Sequence, residues 1–149
     1  MRALSSFRRV LAGFDGSPEA TEAIRTAAAI VARDGGHVVA LSVIRRESHA
    51  DGDGGDDGDE YLRLLAERVL GELRRDLPAG SAVRMSAQVV YADGAAPGQV
   101  VTRYAADHGF DLVVLGRHGD GRRRKARLGQ VADRAVQECS MPVLLLGAR

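Results

Sequence analysis

Five short apolar runs, each the length of one strand and separated from the next by a segment of helical length, constrain the fold of this chain more than any other property. They are residues 9–15 (RVLAGFD), 37–44 (HVVALSVI), 83–91 (VRMSAQVVY), 112–115 (LVVL) and 141–147 (MPVLLLG). Unbroken apolar runs rich in valine and leucine are how strands covered on both faces read. The third alternates at first, as a strand nearer an edge does. Between them apolar residues recur at spacings of three and four: Ala20, Ala23, Ile24, Ala27, Ala28 and Val31, then Leu62, Leu65, Ala66, Val69, Leu70 and Leu73. The same periodicity returns at Val100, Val101, Tyr104 and Ala105, and at Leu128, Val131, Ala132, Ala135, Val136 and Cys139. Helix-length crossovers favour parallel pairing with right-handed connections. The expected fold is a doubly wound α/β sandwich: a five-stranded parallel sheet in the order 3-2-1-4-5, helices on both faces, as one domain over residues 1–149.

Local signals place the boundaries. Ser17 can cap the first helix, Pro18 suits its first position, and Glu19 favours the positive end of the dipole; glycines 35 and 36 end it. The second helix is expected over residues 61–77, stopped by Pro78-Ala79-Gly80, and the third over 97–108. Residues 46–59, which include DGDGGDDGD, have high charge and almost nothing to bury, so they read as a flexible acidic loop. The bidentate glutamate and apolar anchor of an EF-hand are not at their spacing there, and no metal site is expected.

The stretch 111–131 carries the functional signal. A buried strand runs into Gly116, Gly119 and Gly129, and a helix begins near the last of these. Strand, glycine-rich loop and helix start bring backbone N–H groups and a positive dipole end to the carboxyl edge of a sheet, where phosphate binds. Arg117, Arg122, Arg123, Arg124, Lys125 and Arg127 add cationic groups. In a doubly wound sheet ligands sit where the winding reverses. With the first and fourth strands adjacent, Asp15, the end of the second strand near Val43, and the 116–131 loop face one crevice.

Composition excludes several classes. A net charge of +1 gives no general attraction to nucleic acid. No segment reaches the roughly 18 apolar residues of a membrane span, and the first residues lack a signal-peptide core. The single cysteine, Cys139, lies on an apolar helix stripe and suits a reducing cytoplasm. A phosphoacceptor domain needs clustered acids at the first strand, where Asp15 has no acidic neighbour.

Taken together, VLAGFDGS at residues 10–17, DLVVLGRHG at 111–119 and PVLLL at 142–146 resemble the universal stress protein family over essentially the whole chain. The resemblance implies a Rossmann-like domain that binds ATP, alone or with Mg or Mn between the phosphates, and acts in the stress response as a cytoplasmic homodimer. Nucleotide-binding members carry G-x-x-G, nine residues, then glycine and Ser or Thr. Gly116, Gly119 and Gly129 keep that spacing; Gln130 stands where the hydroxyl residue is expected. By position, the resemblance puts Gly13, Phe14, Asp15 and Val43 at the adenosine end. Gly116, Arg117, His118, Gly119, Gly129, Gln130 and Val131 would line the ribose and phosphates.

Gln130 also supports an alternative, a nucleotide-free dimeric interaction module. Phosphoryl transfer needs a positioned base or water-orienting group and usually a metal carboxylate. None is assembled near the loop, so no enzyme is expected, with slow ATP hydrolysis left open. The apolar last strand, residues 142–147, is the expected dimer edge.

Overall fold

The computed structural model describes residues 7–45, 55–118 and 128–147. The elements alternate: β1 (Arg9–Gly13), α1 (Pro18–Ala32), β2 (Gly36–Ile44), α2 (Gly55–Asp76), β3 (Val83–Tyr91), α3 (Pro97–Asp107), β4 (Leu112–Gly116), α4 (Gln130–Glu138) and β5 (Val143–Leu146). All four strand pairings are parallel, in the order β3-β2-β1-β4-β5. The sheet order expected from the sequence is the one found.

Alternate residues of each central strand serve two separate cores. Val10, Ala12, Val38, Ala40 and Val114 point to the side covered by α1 and α2, where Ala23, Ile24, Ala27, Val31 and Leu70 meet them. Leu11, Val39, Leu41, Val113 and Leu115 point to the other side, against Val101 and Ala105 of α3 and Ala135 of α4. The small-residue stripe of α1 lets that helix lie close on the middle strands. Burying a side chain such as Leu11 or Ile24 contributes about 1.5–3 kcal/mol. These are fully enclosed.

Caps fix the ends as the sequence requires. Ser17 Oγ accepts the Ala20 N–H at 3.2 Å, and Asp111 Oδ2 accepts the N–H groups of Arg8 and Arg9 at 3.0 and 2.9 Å, tying the approach to β4 to the start of β1. The largest boundary difference from expectation is at the second helix. α2 begins at Gly55, so residues 55–59 of the acidic run are helix rather than loop; residues 46–54 lie outside the described residues. Carboxylates are favoured at the amino end of a helix, and the Tyr91 hydroxyl at the end of β3 donates to Asp59 Oδ2, which anchors the added turn.

At the amino edge of the sheet Arg9, His37 and Arg84 stand in one row across β1, β2 and β3. Burial, reinforced by the two neighbouring guanidinium groups, holds the His37 pKa below its ordinary value. Its Nε2 lies in hydrogen-bond contact with the Ser86 hydroxyl at 3.0 Å.

Candidate functional site

The expected site residues cluster because strand direction leaves no alternative. β1, β2 and β4 are parallel and adjacent, so Gly13-Phe14-Asp15, Val43 and Gly116-Arg117-His118 all arrive at the carboxyl edge of the sheet. α4 starts beside them, at Gln130. Gly119, together with Arg122, Arg123, Arg124, Lys125 and Arg127, lies outside the described residues.

On the β1 side both backbone groups of Phe14 are engaged. The Phe14 N–H donates to the Leu41 carbonyl at 2.8 Å, and the buried Ser42 hydroxyl donates to the Phe14 carbonyl, also at 2.8 Å. The Phe14 ring is buried in the α1/α2 core, so this residue shapes the crevice through its backbone alone. A Cβ on Gly13 would stand 2.5 Å from Leu115 Cδ2, so that leucine would have to shift to admit one. Asp15 is exposed at the turn into α1, and its Oδ1 accepts the Ser17 N–H at 2.9 Å. Val43 packs at the margin of the α3/α4 core.

On the β4 side two hydrogen bonds pin the ends of the glycine loop. The Arg117 N–H donates to the Leu146 carbonyl of β5 at 2.8 Å, and the Gly129 N–H donates back to the Arg117 carbonyl at 2.6 Å. The Gly129 amide is thus used to close the loop. Further donors lie at the start of α4. Gly129 provides no side-chain cap, and the first intrahelical bond runs from Asp133 N–H to the Gly129 carbonyl at 2.9 Å. Among the described residues no acceptor meets the N–H groups of Gln130, Val131 and Ala132, which are aligned with the positive end of the helix dipole. The Gln130 side chain is exposed. Val131 lies against α3: its Cα would stand 3.2 Å from a Cβ on Gly98.

Sequence reasoning missed Glu19 as a site residue, reading it only as a favourable charge at the start of α1. Its Oε2 accepts the His118 N–H at 3.0 Å, and Gly116 is the residue that makes room: a Cβ there would meet Glu19 Cβ at 2.9 Å and Oε2 at 3.1 Å. The signal in the sequence was the position itself, one turn past Asp15 on the helix that leaves the crevice. Ser42 was also missed, hidden inside an apolar strand.

The start of α4 offers backbone N–H groups and a positive dipole end, and the β1–α1 corner carries the carboxylates of Asp15 and Glu19. Among the described residues no three His, Cys, Asp or Glu side chains gather to hold a metal ion. An open groove of about 320 Å³ between the end of β3 and α3, lined by Val90, Tyr91, Asp93, Arg103 and Tyr104 among others, contains none of the expected residues. Among the described residues no helix is long and apolar enough to cross a membrane.

Comparison with known proteins agrees with the fold. The family model described as the universal stress protein family matches residues 6–147. A protein of that family from Burkholderia pseudomallei superposes with a TM-score of 0.73 at 21% identity, over 97% of this chain and 98% of its own. A universal stress protein in complex with cAMP gives 0.67 at 20% identity, over 95% and 98% of the two chains. The universal stress protein from Archaeoglobus fulgidus in complex with dAMP gives 0.67 at 17%, over the same shares. No curated relative matches the chain.

Proposed function

We propose, from the premise that the chain belongs to the universal stress protein family, that it is a regulatory adenine-nucleotide-binding protein of the stress response and that ATP is its ligand. The observation that carries this reading is the uncapped amino end of α4, held at the carboxyl edge of the sheet by the Arg117–Gly129 bond. Its free donors and dipole favour an anion there. Two proteins of the same fold have been crystallised with cAMP and with dAMP, which supports an adenine nucleotide as the ligand class.

In this reading Asp15 and the main chain at Gly13, Phe14 and Val43 receive the adenosine end. The amides of Gln130 and Val131, with Gly116, Arg117, His118, Gly119 and Gly129, surround the ribose and phosphates. Mg or Mn bound with the nucleotide would supply neutralisation of phosphate charge; among the described residues no His, Cys, Asp or Glu cluster gathers to hold it. The protein acts as a binder rather than an enzyme. The nucleotide complexes of proteins of the same fold favour this reading over the ligand-free module.

Calorimetry with ATP tests the reading directly. Saturable binding is expected, and its absence at millimolar nucleotide with folded protein rejects it. Two associated features complete the proposal: a cytoplasmic location and a homodimer formed through residues 142–147. β5 is an edge strand of four residues, with Leu144 exposed on it and Val136 exposed on the neighbouring helix. Light scattering should report a dimer at micromolar concentration; a monomer at high micromolar concentration rejects that part.

A further inference from the structure

Resting on the adenine-nucleotide reading above, we infer that Glu19 sets how strongly the crevice discriminates between nucleotides by their phosphate charge. The carboxylate comes from the first turn of α1 and is only part-exposed. It crosses to a loop 99 residues away in the chain and takes the His118 N–H at 3.0 Å. That contact depends on the glycine at 116, where any side chain would collide with Glu19. A backbone N–H at the end of a parallel strand, beside a glycine loop, is the kind of donor that holds a phosphate oxygen. Here the protein's own anion holds it.

Two consequences follow for a ligand in this crevice. A phosphate that reaches His118 must displace the Glu19 carboxylate or lie beside it, and like charges a few ångströms apart repel strongly in a partly desolvated site. An uncharged nucleoside meets neither obstacle. Glu19 therefore acts on the ratio of ATP to adenosine affinity, holding it down, whereas the start of α4 raises it. Asp15, which accepts the Ser17 N–H at the turn, is a second carboxylate at the same β1–α1 corner.

The test separates charge from structure. Glu19→Gln keeps an oxygen that can accept the His118 N–H but removes the charge, and Glu19→Ala removes both. ATP and adenosine are titrated calorimetrically into wild type and each variant, in the presence of a chelator so that no divalent cation bridges carboxylate and phosphate. Circular dichroism melts confirm that each protein is folded. Glu19→Gln is expected to raise the ATP-to-adenosine affinity ratio roughly tenfold, equivalent to about 1.4 kcal/mol, and Glu19→Ala to raise it at least as far. Adenosine binding with a ratio that Glu19→Gln leaves unmoved or lowers overturns the role of Glu19 while leaving the nucleotide reading intact. Equal weakening of both ligands in Glu19→Ala, with Glu19→Gln unaltered, marks a purely structural tie and overturns it as well. If neither ligand binds any of the three proteins, the nucleotide reading falls, and this role with it.

Discussion

Replacing Gly98 by alanine should destabilise the protein, although a helix ordinarily gains from that exchange. Gly98 is buried in the first turn of α3, against α4. A Cβ added there would stand 2.7 Å from Arg134 Cβ, 3.0 Å from Arg134 Cγ and 3.2 Å from Val131 Cα. Carbon atoms in good contact are about 3.5–4.0 Å apart, so the shortfall at the closest atom is about 1 Å. Neither Arg134 Cβ nor Val131 Cα can swing aside on a side-chain torsion. Relief requires α4 itself to move. Overpacking of this kind costs about 1–3 kcal/mol, against an intrinsic helix gain of at most about 1 kcal/mol. The expected net loss is about 1 kcal/mol, or about 2–4 °C in Tm for a chain of this size. Gly98→Val, larger and without the propensity gain, should lose about 2–3 kcal/mol. Urea denaturation followed by circular dichroism measures both. Because α4 carries the proposed phosphate donors at its start, the same variants should weaken ATP binding in step with their destabilisation. A Gly98→Ala protein as stable as wild type, or more so, would show that the two helices separate at no cost and refute the reasoning.

Asp111→Ala removes the acceptor for the N–H groups of Arg8 and Arg9; a loss of about 1–2 kcal/mol is expected, visible as a lower urea midpoint, and Asp111→Asn should recover part of it. Ser42→Ala leaves the Phe14 carbonyl without its buried donor and should cost about 1–2 kcal/mol, again read from the urea midpoint. For His37, whose folded pKa lies below the ordinary value, the unfolded chain binds the proton more readily. Stability is therefore complete above about pH 6.5 and falls as pH drops from there toward the folded pKa. Melting temperatures measured across this window should decline with acidification, and the His37→Gln and Arg84→Gln variants should each flatten that slope; an unchanged slope in both would exclude His37 as its source.

Much of the fold is written locally. Runs such as VLAGF and LVVLG have few alternatives to a strand covered on both sides, and the helix between β1 and β2 carries its own cap at Ser17. What escaped the sequence was set by partners far away. The acidic residues before Tyr61 read as loop because they have nothing apolar to bury, yet α2 extends to Gly55, and Tyr91, on another strand, holds its first turns through Asp59. Glu19 carried a sufficient local explanation as a dipole charge, and its bond to His118 exists only because β1 and β4 are neighbours. The crevice was legible as a place because parallel strands end together. The partners of its individual amides, Arg117 to Leu146 and Gly129 to Arg117, depend on the packing of β5 and could not be read from glycine spacing.

The Arg117–Gly129 bond of 2.6 Å, backed by the Arg117–Leu146 bond of 2.8 Å, makes a neck where the chain leaves β4 and rejoins the molecule at α4. Closing a longer segment across a fixed neck costs little more than closing a short one, about 0.6 kcal/mol per doubling of length. The start of α4 is therefore held in place by these two bonds at the neck, and a longer connection between them would cost its position little.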